Sequence, residues 1–155
     1  MRKTQLPNPF DPKVILLAKH AQHVVLIHFP IGLYLAGTAF DFCARLLRRT
    51  QLAAVAHWNF VAAAALSVPT ALTGLLAWHF ALEGKPLKGL LRLHFLLGLA
   101  TVAGLLLTVS IRRAARLDKD PLGARWIMLL ECGVSGLLAI TAHLGGFLVE
   151  SISRR

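Results

Sequence analysis

Four long apolar stretches, separated by short polar or charged links, organise the sequence. Each stretch reaches the roughly 20 residues of helix that cross about 30 Å of hydrocarbon at 1.5 Å per residue. The pattern therefore predicts four membrane-spanning helices. The predicted spans cover about residues 22–47, 52–82, 90–111 and 126–149.

The links between the spans determine the topology. They are short, and each carries charged or turn-forming residues, at positions 48–51, 83–89 and 112–125. Short links place successive helices side by side and antiparallel. The predicted fold class is therefore all-α, an integral membrane four-helix bundle with up-down-up-down topology.

One domain accounts for nearly the whole chain, and we expect no internal repeat within it. The four spans form a transmembrane domain over residues 20–150. Residues 1–19 precede it as an interfacial arm, in which prolines at positions 7, 9 and 12 come before any apolar run begins. Residues 151–155 follow it as a short basic tail.

Composition supports the bilayer as the solvent. The chain is 56% hydrophobic and only 15% charged, against about 25% charged residues in soluble domains. Its net charge of +10 would suggest nucleic acid in a soluble protein. Here the cations flank the predicted spans, where they meet lipid headgroups, and no nucleic-acid motif accompanies them. We expect no nucleic-acid partner.

The distribution of basic residues indicates the orientation of the chain in the membrane. We call the end with both termini and the second link the X end, and the opposite end the Y end. Arginines cluster most tightly beside the helix ends on the Y side, which favours a cytoplasmic Y end. The expected location is the bacterial inner membrane, with both termini in the periplasm.

Histidines are the most informative polar residues of the spans. Ionisable residues at membrane depth are costly and usually mark functional sites. Six of the seven histidines fall in the X half, with at least one on every helix, and only His57 falls in the Y half. The X-half histidines are His20, His23, His28, His79, His94 and His143.

Imidazoles on facing helices suit a six-coordinate b-type haem, whose iron takes one nitrogen from each face. His28 and His94 belong to diagonal helices, and their expected depths differ by only about 5 Å. Gly32 and Gly98 each follow one turn later, where a porphyrin edge needs room. We therefore predict His28 and His94 as axial ligands.

A second diagonal pair consists of His79 and His143, at comparable depth. Two haems on the same side would crowd each other. The sequence thus favours one haem, alone or beside a quinone or metal pocket, with His79 and His143 as further cofactor-binding candidates.

Other chemistries have weaker support. A zinc site takes three or four ligands, and the X half contains no H-E-x-x-H spacing and carboxylates only at its rim. In the Y half, Asp41 and Arg45 have the i,i+4 spacing of an ion pair, and Glu131 lies at the depth of a link arginine. We interpret these three residues as anchoring ion pairs. No phosphate loop or Ser-His-Asp order is present.

Several motifs resemble one known family. The segments H-F-P-I-G at 28–32, T-A-L-T-G-L at 70–75 and G-G-F-L-V at 145–149, with His94 opening and Arg112 closing the third span, resemble the bacterial membrane family called domain of unknown function 2231. The resemblance covers about residues 22–150. It implies four spans without an assigned activity, and relatives joined to cytochrome c-like or Rieske-like domains. That association points to electron transfer through His28 and His94.

The first hypothesis is a membrane b-type cytochrome that exchanges electrons with quinone and a separate redox partner, such as a cytochrome c-like or Rieske-like protein or a larger membrane complex. The rival is a non-catalytic accessory subunit of a membrane complex, whose histidines bond within the bundle or contact lipid or pigment cofactors. A small transporter or metal-handling protein is a third alternative. An electron carrier or accessory subunit is favoured over a stand-alone enzyme.

Overall fold

The chain forms four long helices, as the apolar pattern predicts. A computed structural model describes residues 19–81, 83–84, 86–117 and 125–153. The predicted N-terminal arm and the last two residues of the predicted tail therefore lie outside the described residues, apart from the backbone at position 19. The helices are α1 (Lys19–Leu47), α2 (Thr50–Ala81), α3 (Gly89–Leu117) and α4 (Arg125–Ser153).

All four helices are long and apolar enough to cross a membrane, and their most apolar windows have mean hydropathies between 1.5 and 2.0. Large apolar side chains cover the outside of the bundle. Val25, Leu46, Leu99 and Leu129, one or more from three different helices, are 61–74% exposed. Such a surface is compatible with hydrocarbon and confirms the integral membrane bundle.

Successive helices pack as neighbours, and α4 packs back against α1, which closes the bundle. The hairpin of α1 and α2 has the most extensive interface. Its turn begins at Arg48, whose φ of 51° is left-handed. Arg49 N donates to Ala44 O at 2.9 Å, and Arg48 N donates to Arg45 O at 3.4 Å. These two bonds satisfy two carbonyls in the last turn of α1, and the chain then turns directly into α2.

The apolar core occupies the middle of the bundle and its Y half. Tyr34 and Phe60 are fully buried, with ring centroids 4.9 Å apart in an edge-on arrangement. Gly37 allows this packing, because a Cβ there would lie 2.9 Å from Phe60 Cε1. Leu105 and Leu138 complete the cluster from α3 and α4.

Two helices are longer than predicted. The third continues past residue 111 to Leu117, and the fourth reaches Ser153. The expectation that Arg112 lies in a link is therefore wrong. Arg112 is helical and only 5% exposed, because two buried carboxylates draw its side chain into the bundle.

Hydroxyl groups bond to backbone carbonyls around the two helical prolines. Pro30 cannot donate to Leu26 O, and Thr70 Oγ1 of α2 lies 3.5 Å from that carbonyl. Around Pro69, hydroxyls of the same helix donate to local carbonyls: Ser67 to Ala64, Thr70 to Leu66 and Thr73 to Thr70.

Candidate functional site

The side chain of His23 joins α1 to α2 near the X end. Its Nδ1 donates to the carbonyl oxygen of Thr70 at 3.0 Å and lies 3.3 Å from Thr73 Oγ1. The imidazole lies against Gly74, where a Cβ would be 3.0 Å from His23 Cε1. Gly74 therefore leaves the space that the ring occupies.

His94 repeats two of these contacts, those with a threonine carbonyl and with a glycine, between α3 and α4. Its Nδ1 donates to the carbonyl oxygen of Thr141 at 3.1 Å. The ring lies against Gly145, where a Cβ would be 3.0 Å from His94 Cε1. Thr101 of α3 supports the arrangement, with Oγ1 3.0 Å from Thr141 Oγ1.

These two histidine sites reveal an internal repeat that the sequence analysis did not expect. Each histidine bonds the threonine 47 positions later. The two sites are offset by 71 positions, the difference between 94 and 23 and between 141 and 70. Around the threonines the sequence repeats as L-x-x-x-T-A-x-x-G, at residues 66–74 and 137–145.

The repeat relates the two helix hairpins, α1 with α2 and α3 with α4. Equivalent helices run in the same direction, so the relating axis runs along the bundle, as in parallel repeats of membrane proteins. Asp41 and Arg112 are also 71 positions apart, and they contact each other at 2.8 Å. Residues that touch their own equivalents lie close to the axis.

The repeat also fixes how His23 and His94 are placed. Each lies 18 residues, about five full turns, before Asp41 or Arg112 on its own helix. His23 therefore lies on the same face of α1 as Asp41. His94 likewise lies on the same face of α3 as Arg112. At the X end these faces belong to diagonal helices, and the two imidazoles lie against α2 and α4 respectively.

The carbonyl bonds determine the tautomer of both imidazoles. A carbonyl oxygen can only accept a hydrogen bond, so Nδ1 of His23 and of His94 carries the proton. In a neutral imidazole the lone pair then resides on Nε2. This is the arrangement that protein metal ligands adopt, in which the second ring nitrogen donates to a carbonyl and orients the ring.

The X half of the bundle is loosely packed beside His94. Every residue of α3 from 89 to 104 is exposed or half-buried. In contrast, Leu105 and Thr108 further along the helix are at most 1% exposed. The two hairpins are thus held tightly together from the middle of the bundle to the Y end.

The structure does not bring together the predicted axial pair. His28 is exposed, and its Nδ1 donates to Val24 O of its own helix at 2.6 Å. His94 is half-buried between α3 and α4. The reason is the helical phase: His28 is five residues after His23, and five residues turn the side chain by about 140° away from the inward face.

The second predicted pair is also separated. His79 and His143 are both exposed, on the outer faces of α2 and α4, and the ring of His79 packs edge-on against its neighbour Phe80.

The other predicted residues of the site have different surroundings. Gly32 and Gly98 do leave open space, because a Cβ at either position meets nothing within 4 Å. The side chain of His20 lies outside the described residues, and His57 is buried in the Y half.

The Y half contains a buried ion network that the sequence predicted in part. Arg112 Nη1 donates to Glu131 Oε1 at 2.5 Å, and Arg112 Nη2 lies 2.8 Å from Asp41 Oδ1. Arg45 Nε donates to Asp41 Oδ2 at 2.6 Å, which confirms the predicted i,i+4 pair. Two carboxylates and two guanidinium groups balance in charge, and Arg112 also stacks 5.0 Å from the centre of the Phe60 ring.

Both carboxylates of this network have zero exposure. Charges are buried at low dielectric only when opposite charges compensate them, and Arg112 serves Asp41 of α1 and Glu131 of α4 at once. It therefore joins three helices. The network lies near the axis that relates the two hairpins, at the end of the bundle opposite His23 and His94. It therefore helps to hold the two hairpins, and with them His23 and His94, in one relative position.

Within the described ranges, no group of three or more His, Cys, Asp or Glu side chains is close enough to hold a metal ion. The strongest candidate site is therefore the histidine pair His23 and His94. The sequence alone predicts His94 as a ligand, whereas it places His23 only among the histidines of the X half. The 71-residue repeat was the signal that identifies His23.

Comparison with known proteins identifies the family but no activity. No curated protein and no solved structure matches the chain. One family model does match, over residues 19–153, which includes all four helices. The chain therefore belongs to the family described as predicted membrane protein (DUF2231).

Proposed function

We propose that this protein is a membrane-embedded b-type haem electron-transfer protein, in which His23 and His94 would hold the haem iron. The observation that carries the proposal is the pair of equivalent imidazoles on diagonal helices, each oriented by a carbonyl of the neighbouring helix. The axial ligand predicted from His28 is replaced by His23, while His94 is retained.

Depth and direction support this pair. His23 and His94 occupy equivalent positions of a repeat whose axis runs along the bundle, so their depths are closely matched. Each lies on the helix face that carries the axial contact between Asp41 and Arg112 at the other end. A bis-histidine haem requires two imidazoles at one depth on opposite sides of a central space.

The bonds made by Nδ1 support ligation chemically. Protonation of Nδ1 leaves the Nε2 lone pair as the electron-pair donor, and the bond to a carbonyl raises the basicity of the ligand. A haem held by both histidines would supply one-electron transfer and would leave no open coordination position for substrate. This is the chemistry of an electron carrier rather than of a stand-alone enzyme.

The packing supports access for a flat macrocycle. Residues 89–104 of α3 are all incompletely buried, so the bundle can accommodate a ring between the hairpins with little loss of apolar packing. Gly74 and Gly145 allow the imidazoles to lie close to α2 and α4, so the imidazoles leave room for a macrocycle between the hairpins.

The position near the X end indicates where electrons leave. His23 is four residues into α1 and His94 five residues into α3, about 6–8 Å from the helix starts. A haem there is within reach of a partner at the X surface. With the X end in the periplasm of a bacterial inner membrane, the partner is a cytochrome c-like or Rieske-like protein or a larger complex, and quinone in the bilayer is the other reactant.

An accessory subunit is the second candidate function. The observation that favours it is the outer face of α1 and α4, where His28 and His143 are exposed among apolar residues. Polar groups at lipid-facing positions are expensive unless a protein partner covers them. In this alternative the His23 and His94 bonds stabilise the hairpins and bind no cofactor.

Single-histidine variants separate these functions. The protein is purified in detergent from haem-supplied cells, and bound haem per chain is measured as the pyridine haemochrome. We expect near-stoichiometric haem in the unaltered protein and loss of low-spin haem in His23→Ala and in His94→Ala. His28→Ala is the matched control on the same helix and should keep its haem.

Substitution by methionine provides a second readout. His23→Met and His94→Met offer a different axial ligand and should raise the reduction potential of any haem retained. Loss of haem in His28→Ala with full retention in His23→Ala would overturn the assignment. Absence of haem from every preparation would favour the accessory subunit.

A further inference from the structure

Glycines on the outside of α1 and α4 have no packing partner among the residues that the structure describes. Inside the bundle, a Cβ at Gly37 or Gly104 would lie within 3.0 Å of a neighbouring side chain. A Cβ at Gly32, Gly136 or Gly146 would meet nothing within 4 Å. The fold itself therefore does not require glycine at these outer positions. In membranes, small residues on a helix surface allow another helix to approach closely.

The same side of the bundle contains an apolar groove between α1 and α4. It is an open groove with a volume of about 410 Å³, and it is lined by Leu35, Thr38, Ala39, Phe42, Met128, Cys132 and Ser135. The two hydroxyls of the lining, Thr38 Oγ1 and Ser135 Oγ, lie 3.1 Å apart. They satisfy each other, so the groove presents an apolar surface.

Two exposed imidazoles continue this groove toward the X end. His28 lies two turns before Leu35 on α1, and His143 lies about three turns after Cys132 on α4, so both share the face of a groove residue. Thr38 of α1 and Ser135 of α4 are in contact and so lie at one depth. From there, His28 is ten residues away along α1 and His143 eight residues away along α4. At 1.5 Å per residue their depths differ by about 3 Å.

The hydrogen-bonding roles of the two imidazoles complement each other. His28 Nδ1 donates to Val24 O, so Nε2 of a neutral His28 is an acceptor. A neutral His143 has one N–H to donate. Both lie at membrane depth on an apolar surface, where polar groups favour a protein partner over lipid.

A surface that carries both members of a complementary pair at one depth can bind a copy of itself. A two-fold axis along the membrane normal keeps every residue at its depth and places α1 of one copy opposite α4 of the other. His28 of each copy then faces His143 of the other. We propose that two copies of this chain associate in parallel through the α1–α4 face, with His28 of each copy accepting from His143 of the other and the outer glycines allowing close approach.

The oligomeric state in lipid bilayers tests this dimer. Fluorescently labelled protein in liposomes, counted by single-molecule photobleaching across dilutions, should show dimers. Removal of both imidazoles in His28→Leu with His143→Leu deletes two interhelical hydrogen bonds, which should raise the dissociation constant about eight-fold or more. His79→Leu, an exposed histidine on α2, is the matched control and should leave it unchanged.

Steric and covalent variants locate the interface independently of the histidines. Gly32→Leu and Gly136→Leu should weaken the dimer, whereas Gly98→Leu, also in open space but on α3, should not. In a Cys43→Ser background, oxidation should link Cys132 of one copy to Cys132 of the other, because Cys132 is exposed on this face. Cysteine placed at Leu72 on α2 should not form such a link.

The outcomes are distinct. Monomers at all densities, or dimers unaffected by the Gly32 and Gly136 variants, would overturn the proposal. Stable capture of a different membrane protein on this face, without self-association, would overturn it as well. Haem content is measured on the same samples. Loss of the dimer with haem retained would contradict the dimer but not the proposed electron-transfer function. Dimers without haem would contradict the electron-transfer function but not the dimer.

Discussion

Asp41 of α1 and Arg112 of α3 occupy equivalent positions of the two hairpins, and Oδ1 of Asp41 lies 2.8 Å from Nη2 of Arg112. Two identical residues at this place would bring like charges together on the axis. At this position the two halves of the repeat carry opposite charges. The resulting ion pair holds the two hairpins in one relative position.

Removal of Arg112 should destabilise the bundle strongly. Arg112→Leu leaves Asp41 and Glu131 buried without their shared partner, which costs about 3–5 kcal/mol. Unfolding in mixed micelles of mild detergent and SDS measures the change. Arg113→Leu removes the neighbouring exposed arginine and should change stability by no more than about 0.5 kcal/mol. Equal stability of the two variants would contradict the network's role.

The hydrogen bond between Tyr34 and Thr108 should contribute modestly. Their hydroxyl oxygens are 2.9 Å apart and buried. Tyr34→Phe retains the ring contact with Phe60 and removes only this bond, so we expect a loss of about 0.5–1.5 kcal/mol. In a double-mutant cycle with Thr108→Val, the two losses should be less than additive. Full additivity would show that the hydroxyls do not interact.

Added methyl groups should distinguish the inner glycines from the outer ones. Gly74→Ala and Gly145→Ala place a Cβ about 3.0 Å from the imidazole of His23 or His94. The crowding should cost about 1–3 kcal/mol and displace the ring, which lowers haem retention if that ring is a ligand. Unfolding and haem content are measured together.

Gly146→Ala is the control for the pair, because its Cβ meets nothing within 4 Å. Alanine favours helix over glycine by up to about 1 kcal/mol, so the stability of an isolated chain should hold or increase. A larger loss in Gly146→Ala than in Gly145→Ala would contradict the packing described for His94.

The fold could be predicted from the sequence to a large extent. Span length and the absence of charge determine four helices, and short links determine their order. The helix ends were less predictable. Arg112 looks like a link residue until Asp41 and Glu131 are known to lie within reach, and only tertiary structure brings these three side chains together.

The sequence indicates how deep in the membrane the candidate site lies, but not which face of each helix its histidines occupy. Counting residues from the helix starts places His28 and His94 at similar depth, yet the exposed position of His28 depends on which face of α1 meets α2. That face is set by packing, in particular by the fit of Phe60 against Gly37. The repeated T-A-x-x-G segments identify the other histidine, His23, once their contacts are known.

The visible absorption spectrum of the purified protein tests the central claim most directly. Membranes from haem-supplied cells are extracted in mild detergent, and the protein is examined before and after reduction with dithionite. We predict a Soret band with a sharp α-band in the reduced form, typical of low-spin bis-histidine haem, and its disappearance in His23→Ala but not in His28→Ala. A folded, colourless preparation would contradict the account.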